Sequence, residues 1–282
     1  MQNGRWATRD LAPALPGSEF VLTLWTDDAV LAGLADVAGI DRVGVDLEMR
    51  GKRERQAGLG TWISTHRIER LPAVRGALAR ARLFARVNPV SADTSEEVER
   101  LLGLGVEVLM LPMFRSAEEV ARFAEVVAGR AAVVPLLETR AAAEDIERVA
   151  GVEGVREIHL GINDLALDLG LPNRFAVLDC ELVERVSAHV REAGLRLGVG
   201  GIGRVDDAGL PIASDLIYAQ YPRLGATAAL ISRAFLGPGA GGLGEEIARS
   251  RARLARWYAA SQVELQEAHE AFRAALERCT SW

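Results

Sequence analysis

Eight short apolar runs recur between residues 20 and 236, separated by amphipathic stretches rich in alanine and arginine. They cover 20–26, 42–48, 83–88, 106–112, 132–138, 157–163, 196–201 and 227–233. Most are continuously apolar rather than alternating, which is the pattern of strands covered on both faces of a parallel sheet. Helix starts fall between them. Ser95 precedes Glu96 and Glu97, and Ser116 precedes Glu118 and Glu119, with Glu119 at the capping-box position. Residues 139–150 and 182–193 read as further helices, the second closed by Gly194. This repeating strand–helix unit predicts an α/β fold, a (β/α)8 TIM barrel over 20–236. A doubly wound open sheet is the alternative, and the lack of Gly-x-Gly-x-x-Gly after the first run counts against it.

The flanks read differently. Residues 1–19, with Pro13, Pro16 and Gly17, predict a loose N-terminal arm. After residue 236 the stretch Gly237-Pro238-Gly239-Ala240-Gly241-Gly242 predicts a hinge, and 243–279 shows helical periodicity. Leu254, Tyr258, Leu265, Ala268, Phe272, Ala275 and Cys279 form a narrow apolar stripe with a polar gap at Ser261. As one rod of some 36 residues it would span about 54 Å, more than the height of a barrel. It therefore either breaks and folds back on its own barrel or reaches another subunit, and the second option predicts a homo-oligomer joined through the C-terminal helix.

Charge narrows the function classes. Lys and Arg number 33 against 39 Asp and Glu, for a net charge of −6 with no basic block, which argues against nucleic-acid and membrane-surface partners. Two cysteines, Cys180 and Cys279, supply neither a disulfide framework nor a thiolate metal site. Arg5, Arg9 and Asp10 precede any apolar run, unlike a secretory leader, and no apolar run approaches the roughly 18 residues of a membrane span. A soluble cytoplasmic protein is the expectation.

In a TIM barrel, chemistry sits where strands run into the loops that follow them. The predicted strand ends carry Asp46 and Glu48, Arg86, Glu138, Asn163 and Asp164, and Arg233. Glu138 and Asp164 end neighbouring strands and suit a hard divalent cation that keeps several waters, although acids at such junctions also cap helices. Asp46 and Glu48 are two apart, so they share a face, and two carboxylates on one inward face call for a partner. Arg86 is either that counter-ion or a donor to a substrate oxyanion. The long segment after the second run holds Lys52, Arg53, Arg55, Gln56 and His66. It reads as a lid or binding loop or as a solvated turn, with His66 the candidate acid/base histidine. His159, His189 and His269 read as packing or surface residues.

Several segments make the chain recognisable: Val45-Asp46-Leu47-Glu48, Ala85-Arg86-Val87-Asn88-Pro89, Met110-Leu111-Pro112-Met113, Pro135-Leu136-Leu137-Glu138-Thr139-Arg140, and Gly161-Ile162-Asn163-Asp164-Leu165. In this order they resemble the HpcH/HpaI aldolase and citrate lyase beta-subunit family, a metal-dependent branch of the phosphoenolpyruvate/pyruvate-utilising TIM barrels. The resemblance implies a divalent cation, Mg2+ first with Mn2+ or Co2+ as alternatives, held by Glu138 and Asp164. The cation would bind a 2-oxo acid, with Arg86 donating to its keto oxygen and backbone N–H groups near Gly161 and Asn163 holding its carboxylate. Such an arrangement gives an electron sink for carbon–carbon cleavage without a Schiff-base lysine. Met49 stands where the family's pyruvate aldolases carry histidine. Gly51-Lys52, Arg55-Gln56, Ile63-Ser64-x-His66, Gly200-Gly201-Ile202 and Ser232-Arg233 resemble a further branch of the family, which makes Gln56, His66 and Arg233 site candidates. The expected activity is a class II aldolase or lyase acting on pyruvate or a related 2-oxo acid, with an anionic or sugar-derived carbonyl partner. An acyl-CoA lyase of malyl or citramalyl type, and a non-catalytic ligand-binding barrel permitted by Met49, are the alternatives.

Overall fold

Strand β1 (Val21–Trp25) pairs in parallel with β2 (Arg42–Asp46) on one side and with β8 (Ala226–Ile231) on the other, so the sheet closes on itself. The computed structural model describes residues 20–51, 65–207, 209–236 and 242–279. The strands between are β3 (Arg82–Arg86), β4 (Val108–Leu111), β5 (Ala132–Leu137), β6 (Glu157–Leu160) and β7 (Arg196–Ile202), each bonded to its sequence neighbour. This is the (β/α)8 barrel, and closure rules out the open sheet. The expected N-terminal arm, all of the expected hinge but Gly242, the basic loop with Lys52, Arg53 and Arg55, and Gln56 lie outside the described residues. No described helix is long and apolar enough to cross a membrane.

Helices wrap the barrel: α1 (Ala29–Val37), α2 (Leu71–Ala77), α3 (Thr94–Gly103), α4 (Ala117–Val127), α5 (Arg140–Glu144), α6 (Ile146–Ala150), α7 (Ile162–Leu169), α8 (Glu181–Glu192) and α9 (Ser214–Leu224). The single helix expected over 139–150 is two, α5 and α6, broken at Asp145, whose carboxylate accepts the Ala117 N–H (2.7 Å). Ser116 does precede α4, but Glu119 accepts from the Arg115 N–H (3.0 Å) and makes no reciprocal capping box with Ser116.

The C-terminal rod is also broken. Helices α10 (Leu243–Tyr258) and α11 (Gln262–Arg278) meet at Ser261, which forms a capping box with Glu264. Both pack on α9 of the same chain. The Trp257 Nε1–H donates to Asp215 on α9 (2.8 Å), and Arg251 on α10 donates to the carbonyls of Phe20 (2.8 Å) and Gly39 (2.9 Å). Leu254 and Phe272 are fully buried, each worth roughly 1.5–3 kcal/mol of apolar burial. The buried residues of the stripe thus pack on the chain's own barrel.

The barrel interior is layered. At the base, Arg42 meets Glu157 through two hydrogen bonds (2.7 and 2.8 Å), His159 Nε2 lies 2.6 Å from the same carboxylate, and Arg196 lies 3.4 Å from it. Above lies an apolar layer of Phe84, Val108, Met110, Val134, Leu136 and Leu230, with Trp25 packed on it. Two glycines make this filling possible. A Cβ at Gly44 would sit 2.6 Å from the Trp25 ring, and one at Gly198 would sit 2.2 Å from the His159 ring.

Candidate active site

The third layer opens at the C-terminal ends of the strands. Asp46 ends β2 and Arg86 ends β3, and the two are register partners. Their side chains meet in a fork, with Nε to Oδ1 at 2.8 Å and Nη2 to Oδ2 at 2.7 Å. The chain leaves β2 through Glu48, 1% exposed, whose Oε2 lies 3.4 Å from Arg86 Nη1. Asp46 and Glu48 do share a face, and Arg86 is the counter-ion that their juxtaposition called for. Burial disfavours the Arg86 charge, but the carboxylates of Asp46, Glu48 and Glu138 more than offset it and hold the guanidinium protonated. Its face lies over the Trp25 ring, 5.7 Å from the centroid.

His66 reaches this group from the far side of the β2 loop. The backbone N–H of Asp46 donates to its Nδ1 (3.0 Å), which assigns the proton of the neutral ring to Nε2. The near side of the same loop is clamped by Asn88. Its Oδ1 accepts from the N–H groups of Met49 (3.0 Å) and Arg50 (3.2 Å), and its Nδ2 is held by Glu97 (2.9 Å).

Glu138 follows the last residue of β5 and is 2% exposed. Burial pushes its carboxyl well above the usual carboxylate range. The charges of Asp164 and Glu48 push the same way, and Arg86 and the Met113 N–H only partly compensate. That N–H reaches Glu138 Oε1 at 2.9 Å because Met113 adopts φ 55°, in the left-handed region, where a non-glycine residue costs about 1–3 kcal/mol. Thr139 secures the next residue: it caps α5 through Ala142 N–H (3.1 Å) and donates to the Phe114 carbonyl (2.9 Å).

Strand β6 ends three residues earlier than expected, so Asn163 and Asp164 lie in the first turn of α7 and not on the strand. Gly161 is the N-cap, and its own N–H is taken by the Leu137 carbonyl (2.9 Å). What Gly161 contributes is space: a Cβ there would lie 2.7 Å from Glu138 Oε2. The first-turn amides of 162–164 remain as helix N-terminal donors. The side chain of Arg233, which opens a short 3-10 turn after β8, is outside the described residues, as is Gln56.

A hard divalent cation fits this donor set. Glu138 and Asp164 carry hard carboxylate oxygens, a cation would relieve their mutual repulsion, and glycine at 161 leaves room beside Glu138 Oε2. Among the described residues no three His, Cys, Asp or Glu side chains gather into an ion cage, so an ion here would complete its shell with water and substrate oxygens, as such cations commonly do.

Sequence reasoning passed over Trp25, Met113 and Asn88 as site residues. Asn88 and Met113 each stood within a recognised segment, although nothing there marked the left-handed turn at Met113, and nothing local marked Trp25.

A sequence model of the HpcH/HpaI aldolase/citrate lyase family matches residues 20–199. A 4-hydroxy-4-methyl-2-oxoglutarate aldolase of Chaetomium globosum is 37% identical over 27% of this chain and 28% of its own length. A hydroxypyruvate/pyruvate aldolase of Rhizorhabdus wittichii is 40% identical over 30% of this chain and 35% of its own, so the matched segments span about a third of these relatives. A hydroxypyruvate/pyruvate aldolase of Agrobacterium fabrum is 27% identical over 58% and 71%. Among solved structures, an HpcH/HpaI aldolase of Desulfitobacterium hafniense shares the fold with a TM-score of 0.58 at 20% identity, covering 77% of this chain and 86% of that one. The CitE protein of Mycobacterium tuberculosis, in complex with magnesium and acetoacetate, shares it with a TM-score of 0.57 at 17% identity, covering 92% and 100%.

Proposed function

The chain belongs to the HpcH/HpaI aldolase/citrate lyase family, and on that premise we propose that it is a divalent-metal-dependent carbon–carbon lyase or aldolase working through the enolate of pyruvate or a related 2-oxo acid, with an anionic carbonyl compound as second substrate. The observation that carries this reading is the buried Glu138, set against Asp164 and Glu48 beside an Arg86 already committed to Asp46. Relatives described as pyruvate-type aldolases support the substrate class, and magnesium in the CitE complex supports the cation.

Glu138 and Asp164 would hold the ion, Mg2+ first, and the ion supplies a Lewis acid that draws electrons from the 2-oxo group. Arg86 donates a remaining N–H to the same oxygen as it gains enolate charge. The fork with Asp46 fixes the guanidinium plane, so little reorganisation is needed when the charge develops. The first-turn amides of α7 bind the substrate carboxylate. In the cleavage direction, the hydroxyl proton of the substrate passes to the Glu48 carboxylate as the carbon–carbon bond breaks and its electron pair becomes the enolate. Glu48 then returns that proton to the enolate carbon, and His66, standing in for the histidine that Met49 replaces, would steer the transfer with a hydrogen bond donated from its Nε2–H.

Exchange of the pyruvate methyl protons in D2O, followed by NMR with Mg2+, Mn2+ or Co2+, tests the reading without knowledge of the second substrate. Cation-dependent exchange that slows in His66→Ala is expected. No exchange with any of the three ions overturns the proposal.

A further inference from the structure

Two cross-strand contacts register the loop after β4 on the loop after β5: the Met113 N–H on Glu138 and the Thr139 hydroxyl on the Phe114 carbonyl, both 2.9 Å. The next residue on each side is an arginine, Arg115 and Arg140, and both are exposed on the mouth rim. Their backbone N–H groups are occupied, Arg115 with Glu119 (3.0 Å) and Arg140 with Asp168 (2.6 Å). Neither guanidinium makes an ion pair or hydrogen bond among the described residues. Three further arginines are by contrast engaged: Arg50 with Asp93, Arg249 with Asp206, and Arg204 with Glu246. Arg115 and Arg140 thus each follow, by one residue, a partner in the contact that registers the two loops beside Glu138. A planar guanidinium matches a carboxylate or phosphate in a bidentate fashion.

We infer that Arg115 and Arg140 form the specificity edge for the second substrate, taking the anionic group of the carbonyl compound while its carbonyl carbon faces the enolate. This rests on the enolate reading above, and it assigns the residues that distinguish an anionic acceptor from a neutral one. No covalent change at either arginine is involved.

The test uses the full-length protein with Mg2+ and pyruvate, and two matched acceptor pairs: glyoxylate against acetaldehyde, and glycolaldehyde phosphate against glycolaldehyde. The readout is the ratio of kcat/KM for the anionic over the neutral member. Wild type is expected to prefer the anion in at least one pair, and the pair that shows the preference tells carboxylate from phosphate. Arg115→Gln and Arg140→Gln should each lower that ratio about tenfold, the effect of one charge-assisted hydrogen bond, chiefly through KM. Arg115→Lys, which keeps the charge but loses the fork, should restore part of it. A ratio unchanged in the double glutamine variant, or no anion preference in wild type, overturns the inference. The pyruvate exchange assay separates the two ideas: exchange with an unmoved ratio sinks the edge alone, whereas no exchange in wild type sinks the enolate reading and the edge with it.

Discussion

At the base of the barrel Glu157 is met by Arg42, Arg196 and His159, whereas at the mouth Arg86 is shared among Asp46, Glu48 and Glu138. Both ends bury charge inside the same eight strands, yet two buried glutamates are pushed in opposite directions. Burial alone would raise both. At Glu157 the Arg42 charge and the His159 contact overcome it and hold the carboxyl well below its ordinary range. At Glu138 burial is reinforced by Asp164 and Glu48. A base that neutralises its own acid needs nothing further. A mouth with acids in excess is suited to receive a cation, and its strain is consistent with a functional site.

The contrast is tested most severely by removing one acid at each end. Glu138→Gln should cost at least about a thousandfold in cation-dependent pyruvate exchange, the scale of losing a Lewis-acid site. Without metal, its melting temperature should rise, because a disfavoured buried charge has gone; a marked fall would show that Glu138 serves stability. Glu157→Gln should do the reverse. Removing one member of a buried ion pair costs about 3–5 kcal/mol, to be read by urea denaturation, while exchange per folded molecule persists. The pH dependence follows in sign. The folded pKa of Glu157 is depressed, so its stabilisation is present above the unfolded value of about 4.3 and is lost as pH falls through the folded one. Wild type should therefore lose stability on acidification more steeply than Glu157→Gln.

Next in size is the cation itself. Magnesium at a hundred times its dissociation constant should stabilise the fold by about 2.7 kcal/mol. EDTA should reverse the gain. The shift should vanish in Glu138→Gln and survive in Glu157→Gln. Equal shifts in both variants would place the ion elsewhere.

The two ends were not equally legible in the sequence. At the mouth, Asp46, Glu48, Arg86 and Glu138 stand at the ends of apolar runs, and the spacing of Asp46 and Glu48 states their common face. Asp164 was legible as a residue but not as part of a helix, because the apolar Ile162 continues the run while Gly161 already caps α7. At the base, Arg42 and Glu157 lie 115 residues apart, and only closure of the cylinder brings them together. His159 therefore looked like a packing residue. A break was one of the two options left open by the length of the rod, and the polar gap at Ser261 stood where it occurs, although the capping box with Glu264 that makes it went unread. The place of Trp25 depends on a volume exchange with Gly44, its register partner on β2, which no single-strand pattern reveals.

Trp25 also supplies the finest test of whether the two ends are separate. Arg42 lies beneath Phe84 (5.9 Å to the centroid), Phe84 meets Trp25 edge-on (5.2 Å), and Trp25 lies beneath Arg86 (5.7 Å). Two aromatic rings thus stand between the paired base and the acid-rich mouth. Trp25→Leu removes the upper ring and the cation–π contact that steadies Arg86, worth about 1 kcal/mol. The expected result is a loss of about fivefold in kcat/KM, with Trp25→Phe recovering most of it. The acid limb of stability, which belongs to Glu157, should keep its midpoint in both variants. If Trp25→Leu moved that midpoint as far as it moved turnover, the rings would be coupling the ends rather than dividing them. The opposite charge balance would then belong to one network and not two.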